Sequence, residues 1–242
     1  MRKVNPVRNS SRSTQRFSTG GVLNPAGIVL KINPAVEQRG IISNGVKFLT
    51  VVFLFILTFS VNAWAQSLQD YIKQGQQRYN VSDFRGALEA WEKGLDLAKR
   101  MNNQQAIGAF LTNIGMVYRI LGDYTKALSH HKQSLKIMKE IGDKLREGFV
   151  LGNIGNVYLN LGDYSWALSH YEQTCMIMKE IGDKKGEGVT LRNIGIVYFY
   201  LGDYHRSLSH YEQSLKITKE IGDKKGEGDN LIVDYNFVLT GF

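Results

Sequence analysis

A set of sequence motifs that recurs every 40 residues constrains the fold of this chain more than any other feature. The tripeptide Asn-Ile-Gly begins at Asn113, Asn153 and Asn193, and the segments Leu-Gly-Asp-Tyr and Lys-Glu-Ile-Gly-Asp recur at the same interval. A fixed period of this size indicates a stack of repeated supersecondary units. Each unit in such a stack contacts chiefly its neighbours, so the chain is expected to form an extended array with a long binding surface.

Each repeat is predicted to contain two helices separated by Gly-Asp turns. In residues 143–182 the apolar residues recur at a spacing of three and four, which is typical of one face of an α-helix. Asp143 and Asp163 are favourable N-caps, and Gly162 and Gly182 are favourable ends, because glycine adopts the left-handed conformation without penalty. Short turns force neighbouring helices to pack antiparallel. The sequence therefore predicts an all-α fold of antiparallel helix pairs.

A glycine also recurs inside the first helix of the repeats, at Gly115, Gly155 and Gly195. Glycine in a helix interior costs about 1 kcal/mol relative to alanine. Its recurrence therefore implies that the partner helix approaches closely at this point. We expect tyrosines of the same helix to fill the space beside each glycine, and small residues of the second helix to face it; these are Tyr118, Tyr158 and Tyr198, and Ala127, Ala167 and Ser207.

The repeated positions resemble the tetratricopeptide repeat, a helical hairpin with Gly, Tyr and Ala at fixed places. In residues 147–186 the matching positions are Leu151, Ile154, Gly155, Tyr158, Gly162, Tyr164, Ala167 and Tyr171. The long period is similar to that of kinesin light chains and Pins-type scaffold proteins. The resemblance implies a right-handed α-solenoid. Its units are a degenerate repeat at 67–106, full repeats at 107–146, 147–186 and 187–226, and a partial or degenerate helix at 227–242.

The resemblance also implies where a ligand would bind, because in this family the first helix of each pair lines a concave groove. The recurrent Asn113, Asn153 and Asn193 are the leading candidates, since an amide offers a donor and an acceptor to an extended peptide backbone. An equally weighted alternative is that each asparagine bonds an adjacent helix and simply orders the stack. The other candidates share or flank the same helical face: Met116, Arg119, Phe149, Asn156, Arg192, Ile196 and Tyr200.

The sequence predicts no catalytic residue, metal site or cofactor. No Gly-rich phosphate loop or hydrolase motif occurs in it. His130, His170 and His210 recur one repeat apart, too far to share one ion, and are expected to be solvated surface residues. Cys175 occupies a leucine position of the neighbouring repeats, so we expect a small buried apolar residue.

The first 65 residues differ in charge from the rest of the chain. They carry 8 of the 30 basic side chains and 1 of the 22 acidic ones, which leaves 22 basic and 21 acidic side chains in residues 66–242. A nucleic-acid-binding domain should keep a basic patch in its folded part. Because the repeat region is nearly neutral, we do not expect nucleic acid as a partner.

An apolar run precedes the repeats and ends in small residues. The segment 48–61 is apolar throughout most of its length and is followed by Ala63, Trp64 and Ala65. This pattern predicts a secretory signal peptide at 46–65, and hence an exported bacterial protein, periplasmic or extracellular. If the signal is not cleaved, the leader alone would anchor the chain in the inner membrane. Residues 1–45 are expected to be a disordered leader, for which a misassigned start codon is the simplest explanation.

Two kinds of function fit this organisation. The first is an exported, non-enzymatic scaffold that holds a peptide or protein segment in the groove. The alternative is the N-terminal regulatory part of a larger enzyme, such as a CHAT-type peptidase. The apolar segment 227–242 is compatible with the second function, and also with self-association through that segment.

Overall fold

The computed structural model describes residues 67–230 without a break, and a few residues of the leader. The chain forms two compact units, residues 1–62 and 63–242. In the first unit, strand β1 (Val22–Leu23) pairs antiparallel with strand β2 (Val29–Leu30). The single residues Leu49, Val52 and Phe53 are helical.

Three predictions concern segments that lie largely outside the described residues. The disordered leader at 1–45 and the signal peptide at 46–65 lie outside the described residues, apart from the few just named. The last part of the predicted segment 227–242, from residue 231 onward, also lies outside them. No helix in the described part of the chain has both the length and the apolar character needed to cross a membrane.

The second unit is the predicted all-α solenoid. Its helices are 17 or 18 residues long where both ends are described, close to the length the sequence suggests, and turns of two or three residues join them. Helices joined so closely pack antiparallel. In chain order they are α1 (67–80), α2 (Phe84–Arg100), α3 (Gln104–Ile120), α4 (Tyr124–Glu140), α5 (Lys144–Leu161), α6 (Tyr164–Ile181), α7 (Lys184–Tyr200), α8 (Tyr204–Glu220) and α9 (224–230).

The Gly-Asp pairs act at the turns in two ways. At Gly162 the backbone takes φ 76°, in the left-handed region that glycine adopts easily. Asp143 accepts a hydrogen bond of 3.0 Å from the backbone N–H of Arg146, which caps α5. Asp163 occupies the same place before α6, but its side chain makes no capping hydrogen bond. Asp163 is therefore the N-cap residue by its position, but it lacks the predicted capping hydrogen bond.

The recurrent glycine of the first helix faces an aromatic ring of the second helix. A Cβ placed on Gly155 would lie 2.7 Å from Cε1 of Tyr171, and one on Gly195 would lie 2.8 Å from Cε1 of Tyr211. The expectation that tyrosines of the same helix fill this space is therefore wrong. Ser207 does face the glycine as predicted, because its hydroxyl donates to the Gly195 carbonyl at 2.8 Å.

A hydroxyl of the second helix ties it to the first at a further point that the sequence analysis missed. Ser134 donates to the carbonyl of Gly108 at 2.8 Å. The bond recurs 40 residues later between Thr174 and Gly148, and again between Ser214 and Gly188. A buried hydroxyl is costly unless it is hydrogen-bonded. These bonds therefore fix the positions of α4, α6 and α8 along their partner helices.

The ladder of histidines is not solvated as expected. The rings of His130, His170 and His210 stack on tyrosines of the first helix at centroid distances of 5.4, 5.3 and 5.4 Å. All three are half-buried. Burial lowers the pKa of His130 and of His210. The stack forms because the histidine follows the tyrosine by 12 residues, which places the two rings on facing turns of the hairpin.

The single cysteine is confirmed as a buried residue. Cys175 is 7% exposed and packs with apolar residues of α6 and α7. Burial raises the pKa of its thiol. A buried thiol with a raised pKa is poorly nucleophilic, which agrees with a packing role.

Candidate functional site

Two cavities open between the first helices of successive pairs. The larger, about 280 Å³, lies between α5, α6 and α7. The smaller, about 150 Å³, lies between α3 and α5. Phe149 lines both cavities and is 50% exposed. The surface formed by these two cavities is called the groove below.

The three recurrent asparagines all lie in the groove. Asn113 lines the smaller cavity, and Asn153 and Asn193 line the larger one. Each is half-buried. The three asparagines share this location because they occupy the same register in successive repeats. Equal registers of stacked helices present the same face.

Within residues 67–230, Asn153 is the only one of these asparagines whose side chain makes a hydrogen bond. The Nδ2 of Asn153 donates to the Phe149 carbonyl of its own helix at 3.0 Å. Within residues 67–230, no hydrogen bond joins the side chains of Asn113 or Asn193 to a neighbouring helix. The alternative in which the asparagines order the stack therefore lacks the bonds it requires. Within the described residues, the side-chain amides of Asn113 and Asn193 are free of hydrogen bonds, and the Oδ1 of Asn153 is free as well.

The larger cavity combines apolar walls with one fixed polar group. Val189 is 42% exposed and, together with Met178, gives the wall its apolar character. Asn156 also lines the cavity, and its Oδ1 accepts a hydrogen bond of 2.7 Å from the Tyr171 hydroxyl. Burial raises the pKa of Tyr171 beyond its usual range, so the hydroxyl stays protonated and donates. This arrangement suits an apolar side chain of a ligand flanked by polar backbone.

The two predicted arginines occupy different positions. Arg119 donates from one guanidinium nitrogen to Oδ1 of Asn160 at 3.1 Å. Arg192 forms an ion pair of 2.8 Å with Asp229 and is half-buried. The charge of Arg192 is thus compensated inside the protein, whereas that of Arg119 meets only a neutral amide.

The remaining predicted residues contribute less to the groove. Met116 and Ile196 are half-buried and line neither of the two cavities. Tyr200 is 60% exposed and stacks on Tyr164 of the preceding pair, with centroids 5.8 Å apart. The structure therefore places Tyr200 at the end of α7, beside the turn, and not in the two cavities.

Sequence reasoning missed several residues that line the larger cavity. Thr174, Lys185 and Thr190 were not candidates, although they face the same space as Asn153. Thr174 lies on α6, which is the second helix of its pair, whereas the sequence analysis took candidates from first helices only. Lys185 and Thr190 lie on α7 at registers that the apolar period does not mark.

The described residues offer no site for a metal ion. Among them, no group of three His, Cys, Asp or Glu side chains is close enough to hold one. The groove is lined chiefly by amides, hydroxyls and apolar side chains, together with the charged Arg146, Asp183 and Lys185.

Comparison with known proteins identifies the type of repeat. Models of the tetratricopeptide repeat match residues 106–180 and residues 189–221. No curated protein sequence matches the chain significantly.

Several solved structures share the fold. BtubC (BKLC) from P. vanneervenii is 17% identical with a TM-score of 0.58, and the match covers 64% of each chain. A Rap protein complexed with competence and sporulation factor is 16% identical with a TM-score of 0.65, covering 68% of this chain and 46% of the other. A STAND protein with a tetratricopeptide-repeat sensor from Pyrococcus horikoshii is 20% identical with a TM-score of 0.60, covering 67% and 25%. The chain therefore spans less than two thirds of the length of each of these structures.

Proposed function

Because this chain is a tetratricopeptide-repeat protein, we propose that it is a non-enzymatic scaffold that holds an extended peptide or protein segment in the groove. The observation that carries the proposal is the state of the asparagines. Asn113, Asn153 and Asn193 recur one repeat apart, line the cavities, and make no hydrogen bond to a neighbouring helix within the described residues. Asparagine inside a helix is mildly unfavourable, so three asparagines in register, none of them bonded to a neighbouring helix, favour a use in binding.

The chemistry of the groove favours a peptide over a small polar metabolite. An extended backbone presents alternating carbonyl and N–H groups, and an asparagine side chain can bond one of each. Phe149 and Val189 expose apolar surface beside these amides. Partly exposed apolar side chains next to unpaired amides match a peptide that carries apolar residues. The Rap protein was solved in complex with competence and sporulation factor, so a similar fold accommodates a bound partner.

Removal of two groove amides tests the proposal. The full chain is equilibrated with a library of random heptapeptides, and retained peptides are identified by mass spectrometry. The natural sequence should retain a reproducible set. The double variant Asn153→Ala with Asn193→Ala should lose this retention at least about tenfold, since each lost hydrogen bond is worth about 1 kcal/mol.

A matched control removes two amides elsewhere. Gln133 and Gln213 lie exposed on the second helices α4 and α8, and their replacement by alanine should leave peptide retention unchanged. Circular dichroism establishes that all variants remain helical. Retention that survives in the asparagine variant, or no retention by the natural sequence, would contradict the proposal.

We also propose export of the scaffold, as the leader sequence predicts. The support is the signal-like segment 46–65. Expression of the full chain in a bacterial host, followed by N-terminal sequencing, should give a mature protein that begins near Gln66. A product that retains the first 45 residues, or one that stays in the inner membrane fraction, would contradict cleavage.

A second candidate function is regulation within a larger enzyme such as a CHAT-type peptidase. One observation favours it. The STAND protein carries an array of this fold as a sensor, and the match covers only 25% of that protein. An immunoblot of cells of the source organism distinguishes the two candidates. A band well above 27.3 kDa would favour the larger enzyme, and a band at or below this mass would favour the free scaffold.

A further inference from the structure

A cation is held at the start of the second helix in the repeat 107–146. The Nζ of Lys126 lies 5.0 Å from the ring centroid of Tyr118, and 2.8 Å from a carboxylate oxygen of Asp123, the N-cap residue of α4. A cation over the face of an aromatic ring is attracted by the electrons of that ring. The carboxylate and the ring therefore stabilise the same charge together.

The same arrangement recurs in the repeat 187–226. The guanidinium carbon of Arg206 lies 4.5 Å from the ring centroid of Tyr198, and a guanidinium nitrogen lies 2.5 Å from a carboxylate oxygen of Asp203, the N-cap residue of α8. Lysine in one repeat and arginine in the other thus occupy the same register of the second helix. An aspartate and a tyrosine in these positions bind either kind of cation.

The repeat between them, 147–186, has the aspartate and the tyrosine but lacks the cation. Trp166 occupies the register of Lys126 and Arg206. It stacks on Tyr158 with the ring centroids 5.9 Å apart, and it remains 56% exposed. Asp163 is exposed, makes no capping hydrogen bond, and forms no ion pair with any residue of 67–230. An unpaired carboxylate and an exposed aromatic ring therefore lie where the neighbouring repeats hold a cation.

Hydrogen bonding and stacking fix the aromatic rings of this repeat. The Nδ1 of His170 donates to the Trp166 carbonyl at 2.8 Å, since a carbonyl can only accept. The same histidine ring stacks on Tyr158, with the centroids 5.3 Å apart. The corresponding Nδ1 atoms of His130 and His210 have no hydrogen-bond partner among the described residues. The rings of 147–186 are thus ordered before a ligand arrives, which reduces the entropy lost on binding.

We propose that Trp166 and Asp163 bind an arginine side chain of a partner protein. Tryptophan is the aromatic residue that attracts cations most strongly, and arginine is the cation most often found over it. A planar guanidinium can stack on the indole ring and donate to a carboxylate at the same time. Residues three apart on a helix are neighbours, so one guanidinium can reach both side chains. Neither residue lines the two cavities of the groove, so the inference does not depend on the proposed peptide binding.

Two heptapeptide libraries that differ in one side chain test the proposal. Both are acetylated and amidated and contain random uncharged residues around a fixed central residue, which is arginine in the first library and citrulline in the second. Citrulline has nearly the shape of arginine but carries no charge. The full chain should retain the arginine library about fivefold more than the citrulline library, as a cation–π contact with a charged hydrogen bond at an exposed site implies.

Binding in the groove is separated by a second form of the full chain. The double variant Asn153→Ala with Asn193→Ala removes two groove amides and leaves Trp166 and Asp163 in place. It should prefer arginine over citrulline at least as strongly as the natural sequence does, because peptides held in the groove no longer contribute to both libraries.

Two substitutions identify the side chains that carry the preference. Trp166→Lys supplies the cation that α4 already has at this register, and it should abolish the preference for arginine. Asp163→Asn keeps a good N-cap residue without the charge and should lower the preference at least about twofold. Both variants make the chain more positive by one charge. The matched control is therefore Met176→Lys, which adds the same charge at an exposed position of α6 and should keep the preference.

The result that would overturn the site is equal retention of the two libraries, or retention of neither, by both the natural sequence and the double asparagine variant. A preference that survives Trp166→Lys would also overturn it, because the arginine would then bind elsewhere, as at Asp183 in the larger cavity. Thermal melts monitor folding. If Trp166→Lys proves unstable, Trp166→Leu takes its place with the same expectation, since leucine has no aromatic face.

Discussion

The hairpins α3–α4 and α5–α6 have one backbone plan but different interiors. In α5–α6 the ring that packs on the helical glycine is Tyr171, whose hydroxyl reaches Asn156. In α3–α4 the ring is His131, and the residue corresponding to Asn156 is Met116. The side chain of His131 is fully buried, and neither of its ring nitrogens has a hydrogen-bond partner.

A further difference lies at the start of the first helix. α5 has the buried Glu147, with the Nζ of Lys144 3.0 Å from its carboxylate, whereas α3 has the apolar Ile107 at the same register. The recurrent glycine and the buried alanine of the second helix are the same in both hairpins, as Gly115 with Ala127 and as Gly155 with Ala167. The polar residues differ between the hairpins in pairs. Where Tyr171 has Asn156 as its hydrogen-bond partner, His131 faces the register of Met116, which cannot bond it, and the buried ring is left without a partner.

The largest expected effect on stability comes from replacing His131, the buried ring of α3–α4 that lacks a hydrogen-bond partner. Burial, and to a lesser extent the charge of Arg119, lowers the pKa of His131 from 6.5 to about 4. Because the folded-state pKa lies below that of the unfolded chain, stability is full above pH 6.5 and falls as the pH drops toward 4. The loss amounts to about 3 kcal/mol at pH 4.

The variant His131→Phe should remove that loss. Phenylalanine fits because Tyr171 fills the same place in α5–α6, and it lacks a hydroxyl, which Met116 could not bond. Urea unfolding between pH 4 and 7 measures the difference between variant and natural sequence. His205→Gln removes an exposed histidine and should keep the natural pH dependence. Parallel curves for His131→Phe and the natural sequence would refute a buried neutral histidine.

A smaller effect is expected from the glycine that the two hairpins share. Gly155→Ala would place a methyl group 2.7 Å from the ring of Tyr171, which is packed on all sides, and overpacking of this kind should cost about 2 kcal/mol. Gly152 on the same helix is the matched control, because a Cβ there lies 3.8 Å from Thr174. Gly152→Ala should therefore stabilise the helix by up to about 1 kcal/mol. Thermal unfolding should shift in opposite directions, and equal shifts would contradict the packing described.

The smallest expected effect distinguishes two caps of the same hairpin. Asp143→Ala removes a capping bond to Arg146 and should cost about 1 kcal/mol. Asp163→Ala removes a side chain without a capping bond and should cost less. Chemical unfolding at pH 7 compares the two, and an equal loss in both variants would show that the capping bond itself contributes little.

The sequence was sufficient to predict the helices but not their side-chain pairs. Gly-Asp turns mark the ends of every helix between Tyr124 and Glu220, because both residues act locally on the backbone. The recurrent asparagines were found in the same way, since equal register implies an equal face. The bonds Arg119–Asn160 and Tyr171–Asn156 join residues 41 and 15 positions apart on different helices. Whether such side chains meet depends on their length and on the distance between the helices, and the repeat period of the sequence does not reveal that distance.

The short range of the packing contacts has a consequence for how this protein changes over generations. Each inner hairpin of the described array packs on the one before and the one after, so a 40-residue segment cut at the Gly-Asp turns is one repeating unit of the stack. Duplication or loss of one such segment in the gene would lengthen or shorten the proposed binding surface by one asparagine, because the hairpins on either side would pack against their new neighbours in the same way. The number of ligand residues that can be held would then change in single steps, without any redesign of the fold.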